Sequence, residues 1–209
     1  MTFPFHRLAI QKVQLESIIL RTMDTQPNEQ HVIAVTRAWL EKAVIGLNLC
    51  PFAKAVHIKG QIRYTVSAAE SPAELIRDLV LELQHLAATD AEVTDTTLLI
   101  HPHTLTDFID YNDFLDTADT VIEELGLEGR IQAASFHPRY QFAGTAPDDI
   151  SNYSNRSPYP TLHLLREASI DKAVAAFPEA EAIFETNIAT LEKLGHEGWA
   201  QLGLESGDP

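Results

Sequence analysis

Apolar residues recur at helical spacing from His31 to about Asn48, through Val32, Val35, Trp39 and Ala43 with Ile33 and Leu40 beside them. This spacing predicts an amphipathic helix. Cys50-Pro51 closes it, because the residue before a proline avoids the helical region. Ile62 to Val66 alternates with Arg63 and Thr65, which predicts a short strand. Ser71-Pro72-Ala73-Glu74 has the form of a capping box with proline at the first helical position. The helix it opens is striped by Leu75, Leu79, Leu83 and Leu86. Thr96 to Ile100 is a short apolar run suited to a buried strand. Thr106 can cap the next helix, with Asp107 favourable in its first turn. Phe108, Tyr111, Leu115, Ala118, Ile122 and Leu125 form its inner face, and Gly126 fits the left-handed position that ends a helix. Arg130 to Phe136 is the third strand and Thr161 to Leu165 the fourth. Helix follows from Ser169, breaks at Pro178 and resumes from Glu179 to Leu194.

The order α-β-α-β-α-β-β-α-α predicts an α/β fold, with α+β the alternative, built on a small mixed four-stranded sheet with helices packed on it. Single helices between the first three strands imply right-handed crossovers and parallel pairing; the direction of the fourth strand is open. Residues 1–30 form an N-terminal extension, with Met23 an alternative start. Residues 31–195 make the domain, and the glycines from Gly195 onward mark a frayed tail over 196–209.

Between the third and fourth strands about twenty residues show neither period. Loops of this length in compact domains are functional or disordered. This one holds Tyr140, Phe142, Ile150, Tyr153 and Tyr159, and disordered segments are poor in aromatics. An ordered, site-building loop is expected.

Composition narrows the partners. The formal charge of −15 argues against nucleic acid and anionic membrane surfaces, both of which need a basic footprint. Oligomeric state is not legible. One cysteine, Cys50, excludes an internal disulfide and a Cys-rich zinc site. No apolar run approaches membrane-spanning length, the first residues do not form a secretory signal, and a cytoplasmic location is expected.

The second and third strands end alike, in Ile100-His101-Pro102 and Phe136-His137-Pro138. Parallel strands would bring both histidines to one carboxyl edge, where open α/β sheets bind ligands. His101, His103 and His137 with a carboxylate from Asp148 or Asp149 would suit one divalent transition metal ion; neutral imidazoles would equally serve as acid and base near pH 7. The alternative is that the histidines hydrogen-bond the turns that Pro102 and Pro138 create. Arg139 and Arg156, with Tyr140, Asn152, Asn155 and Ser157, are candidates to hold a small anionic molecule, since guanidinium forks recognise carboxylate and phosphate. The alternative pairs each arginine, Arg166 included, with a local acid such as Asp148 or Asp149 that pins the loop. His163, between Leu162 and Leu164, faces either the site or solvent. Cys50 has apolar neighbours that favour a structural thiol.

The stretches GLNLCPFA (46–53), ASFHPRYQFAG (134–144) and NRSPYPTLHLLRE (155–167) resemble an uncharacterised bacterial family, domain of unknown function 1415. The resemblance runs from about residue 31 to Gly195 and implies a self-standing domain, without catalytic residues to carry over. From the residues themselves the expected function is a hydrolase-like enzyme acting on a small anionic substrate. Its alternatives are a non-catalytic module that binds a small ligand or partner, and a thiol-dependent redox protein using Cys50.

Overall fold

The computed structural model describes residues 28–176 and 182–204. Helix α1 (Glu29–Trp39) is capped by the Asn28 side chain, which accepts from the Gln30 N–H. It runs into a π-helical turn (Leu40–Ile45). The wider turn shows in bonds that skip five residues, Gly46 N–H to Glu41 O at 3.0 Å and Leu49 N–H to Val44 O at 2.9 Å. A Cβ at Gly46 would stand 2.2 Å from the Lys42 carbonyl oxygen, so the turn closes only over glycine. A short helix α2 (Ala53–Ile58) follows, which the sequence pattern had not indicated. Then come β1 (Ile62–Val66), α3 (Pro72–Ala88), β2 (Thr96–Ile100), α4 (Phe108–Glu124), β3 (Ile131–Phe136), a 3-10 turn (Ile150–Asn155), β4 (Thr161–Arg166), α5 (Glu167–Ala176) and α6 (Ile183–Gln201).

The Ser71 capping box forms as expected: its side chain accepts from Glu74 N–H while Glu74 reaches back to Glu70 N–H. The cap of α4 is Asp107 and not Thr106. Its carboxylate accepts from Ile109 and Asp110 N–H, and as an anion it also suits the positive end of the helix.

The sheet order is β1-β2-β4-β3. β1 and β2 pair in parallel, whereas β4 lies antiparallel between β2 and β3. The expected parallel pairing of the first three strands therefore holds for β1 and β2 alone; β3 runs in their direction but is separated from β2 by β4. β2 and β4 are the two central strands: all of β2 is buried, and in β4 Thr161, Leu162 and Leu164 are fully buried.

Leu75, Leu79, Leu83 and Leu86 of α3 and Tyr111, Phe114, Ala118 and Ile122 of α4 cover one sheet face, against Leu99, Ile131, Leu162 and Leu164. The other face carries Val32 and Val35 on Leu98, Ile100 and Tyr159, beside a second cluster of Trp39, Leu40, Ala43 and Val44 with Phe136 and Trp199. Trp199 belongs to α6, which continues past a kink at Gly195 (φ 64°, ψ 175°). Residues 196–201 are thus packed helix and not frayed tail, because the aromatic surface of Trp199 has Tyr153 to cover it, at 5.0 Å between ring centres. Residues 1–27, most of the proposed extension, and 205–209, the end of the proposed tail, lie outside the described residues, as does Pro178.

Candidate functional site

β2 and β3 end side by side with only the start of β4 between them: Ile100 and Phe136 both pair with Thr161. His101 and His137 therefore do emerge at one edge of the sheet, on the face covered by α4. Tyr111 of α4 sits against both, 5.7 Å from the His101 ring and 5.1 Å from that of His137. Its hydroxyl donates to Thr161 O (2.9 Å) and accepts from Phe136 N–H (3.1 Å), joining β4 to β3 where the two strands part.

Both histidines are fully buried. His137 Nδ1 accepts from the Arg139 N–H at 3.0 Å, so its proton resides on Nε2, which donates to Leu105 O at 3.2 Å. His101 Nδ1 donates to Thr104 O at 3.0 Å. The Arg139 guanidinium adds a third contact, to Thr106 O at 2.6 Å. Three successive carbonyls of the β2–α4 loop are thus each held by a side chain. The middle one belongs to Leu105, whose φ of 54° is a left-handed conformation costly for a residue with a branched side chain. Burial pushes the pKa of both histidines down from 6.5 to about 4, since an imidazolium is poorly solvated there. At neutral pH they are uncharged supports of a strained turn. This is the hydrogen-bonding alternative, and both nitrogens of His137 are engaged in it. His101 Nε2 has no partner among the described residues, yet its residue has no exposed surface.

Nor do the metal candidates converge. Among the described residues no three His, Cys, Asp or Glu side chains stand close enough to share an ion. His101 and His137 direct ring nitrogens to carbonyls of the β2–α4 loop, and His103 lies half-buried in that loop. Asp148 is exposed. Asp149 caps the 3-10 turn, and the Ser151 N–H it accepts holds its carboxylate below the ordinary range. Neither acid bonds to either histidine. The acid nearest the arrangement is Asp107, 3.5 Å from the Arg139 guanidinium.

The long loop is ordered by its own polar groups. Asn152, fully buried, accepts from Phe142 N–H through Oδ1 and donates to Ala146 O through Nδ2, both at 2.9 Å. Arg156 donates from Nε to Tyr140 O at 3.2 Å and from Nη2 to Pro147 O, and its guanidinium lies over the Tyr153 ring at 4.2 Å. Asn155 donates to Ser135 O, and Ser157 to Tyr159 O. These four candidates therefore build the loop: buried or half-buried polar atoms need partners, and in a loop the nearest backbone supplies them. Arg166 is remote from the site. It donates to Leu86, Thr89 and Thr94 carbonyls at the opposite sheet edge, terminating α3. His163 faces away from the site. It is half-buried on the other sheet face, 2.6 Å from Thr96 Oγ1, with its pKa lowered by burial to about 4.

Two candidates keep an open side. The Arg139 side chain is 65% exposed, and Tyr140 is half-buried. Both rest on the start of α4, Arg139 on Thr106 and Asp107, Tyr140 on Phe108 at 5.2 Å. From there aromatic rings run outward, Tyr140 to Phe142 at 5.0 Å and Phe142 to Phe184 of α6 at 6.0 Å. Phe184 is 57% exposed. Phe142 and Phe184 were not assigned a role from sequence, since only the loop's path brings them into line.

Cys50 lies against the Trp39 cluster. Burial raises its thiol pKa, an effect that the nearby Phe52 and Ala53 N–H groups only partly offset. The thiolate needed for redox chemistry is therefore disfavoured. No described helix is long and apolar enough to cross a membrane.

The chain belongs to the family described as protein of unknown function (DUF1415), which matches residues 31–201. No curated protein and no solved structure matches it.

Proposed function

We propose that this family member is a binding module for a small molecule carrying a flat apolar part and an anionic group, held at the carboxyl edge by Tyr140 and Arg139. One observation carries the reading: both nitrogens of His137 and Nδ1 of His101 are engaged with backbone, whereas the Arg139 side chain and the aromatic row beside it keep exposed surface. A guanidinium that already donates from Nη2 to Thr106 O and, at 3.5 Å, to Asp107 Oδ2 is oriented, and its Nε and Nη1 groups are still there to offer a carboxylate or phosphate. The ring of the ligand would lie along Tyr140 and Phe142, where edge and face contacts add to the apolar area buried. The net charge of −15 does not forbid an anion here, because charges beyond about 8 Å are largely screened at physiological ionic strength.

The loop's internal bonding supports binding in a further way. A recognition surface already ordered in the free protein loses little entropy on capture. The test is a titration of the whole protein with a panel of aryl carboxylates and aryl phosphates, followed by NMR shifts of Arg139 Nε–H and the Tyr140 ring. A saturable shift at these two residues is expected, with affinity falling about tenfold or more in Arg139→Ala. Turnover of such esters that vanishes in His137→Gln while the fold survives would restore the enzyme reading instead.

A further inference from the structure

Asp107 and Arg139 are each followed in the chain by an aromatic residue, and the two dipeptides meet at the edge of the site. Arg139 Nη2 stands 3.5 Å from Asp107 Oδ2, and the Phe108 and Tyr140 rings are 5.2 Å apart. Asp107 is anchored from the other side, because its Oδ1 accepts from the Ile109 and Asp110 N–H groups at the start of α4. Arg139 is anchored by its bond to Thr106 O. An anion and a cation are thus held in fixed places beside two rings. Both charged side chains are more than half exposed, Arg139 at 65% and Asp107 at 55%. An exposed pair at this distance gains little from its own attraction, so both charges remain on offer to a ligand.

This pairing bears on which anion Arg139 can take. A carboxylate or phosphate gripped by Arg139 comes close to the Asp107 carboxylate, and like charges so placed repel. A positive group on the same ligand turns that repulsion into attraction. Resting on the binding reading above, we propose that the ligand is an aromatic amino acid or a zwitterion of that kind. Its carboxylate lies on Arg139 Nε and Nη1, its ammonium on Asp107 Oδ2, and its ring along Tyr140 and Phe142. An α-amino acid carries both charges on one carbon, with about 2.5 Å between the nitrogen and the carboxyl carbon. That spacing suits two opposite charges standing 3.5 Å apart, and the four charges then alternate in sign. Asp107 has room for the ammonium: a carboxylate offers about four acceptor positions, and its bonds from Ile109, Asp110 and Arg139 leave one, on Oδ2. A zwitterion also brings no net charge to a chain whose formal charge is −15, so the field of the whole protein does not oppose its approach.

The test uses three probes that share one ring: phenylalanine, phenylpropionate, which lacks the ammonium, and phenethylamine, which lacks the carboxylate. Each is titrated into the full chain by calorimetry, with NMR shifts followed at the Tyr140 ring and Arg139 Nε–H. Phenylalanine is expected to bind at least about fivefold more tightly than either of the others. Asp107→Asn keeps a good helix cap and should erase the preference, weakening phenylalanine and strengthening phenylpropionate. Phenylpropionate that binds the wild type as tightly as phenylalanine overturns the zwitterion and leaves the anion site standing. Phenethylamine that does so overturns it as well, since the carboxylate would then contribute nothing. No shift with any of the three, while other aryl carboxylates or aryl phosphates bind, also sinks the zwitterion alone; no shift with either set removes the binding reading too. Should the asparagine variant fail to fold, the order of the three probes in the wild type decides.

Discussion

The Nε2 proton of His137 is donated to the carbonyl of Leu105, a residue held in left-handed backbone at φ 54°. An imidazole at the end of one strand thus supports the strained turn that follows another, and the same ring accepts from the Arg139 N–H. Its neutral form is the only one that can make both contacts.

His137→Ala should accordingly act on stability. It empties a buried ring site and leaves the Leu105 carbonyl and Arg139 N–H without partners, each loss costing about 1–3 kcal/mol. Urea unfolding should show a loss of at least about 3 kcal/mol. A variant as stable as wild type would return His137 to the list of residues kept for chemistry.

Acid should destabilise the fold earlier than carboxylate titration alone requires. His101 and His163 have pKa values lowered from 6.5 to about 4 in the folded state, so the unfolded chain binds protons that the native one refuses. Their contribution is complete above pH 6.5 and falls as the pH drops from 6.5 toward 4, by on the order of 3 kcal/mol for each residue. Urea midpoints measured between pH 7 and pH 4 would show this slope. A flat profile down to pH 5 would mean that these imidazoles are solvated.

Tyr111→Phe removes one hydroxyl and nothing else. That hydroxyl joins Thr161 O to Phe136 N–H, so both backbone groups lose a partner in a buried place. A cost of about 2–3 kcal/mol is expected, with faster amide exchange confined to the start of β4 and the end of β3. Uniform exchange across the sheet would refute a local stitch.

The two loop arginines should part company. Arg156→Ala frees the Tyr140 and Pro147 carbonyls and uncovers Tyr153, so limited proteolysis should cut within residues 138–160 that are resistant in wild type. Arg139→Ala removes an exposed side chain whose acid partner is 3.5 Å away, and should change stability by less than about 1 kcal/mol. Equal protease resistance in both variants would contradict the division of roles.

Cys50 should label slowly with a thiol reagent in the native state and rapidly in urea, because burial raises its pKa. Fast native labelling would revive a thiol chemistry.

Much of this fold was legible because its signals are local. The leucine stripe of α3 repeats at helical spacing, the Ser71 box satisfies its own helix end, and proline after His101 and His137 stops both strands where they do stop. The shared carboxyl edge of the two histidines followed from strand direction alone. The loop's order followed from its aromatic content, and Asn152 and Arg156 supply that order. Other features depended on contacts between residues distant in the chain. That β4 lies between β2 and β3 is a matter of pairing between strands distant in the chain, which no periodicity encodes. Whether His137 is a catalyst or a support turns on the position of Leu105, thirty-two residues earlier, because an imidazole's role is set by what its two nitrogens meet. Sequence determined most of the elements and which residues reach one edge of the sheet; only tertiary structure decided which of their polar atoms remain free, since buried donors and acceptors find their partners in three dimensions.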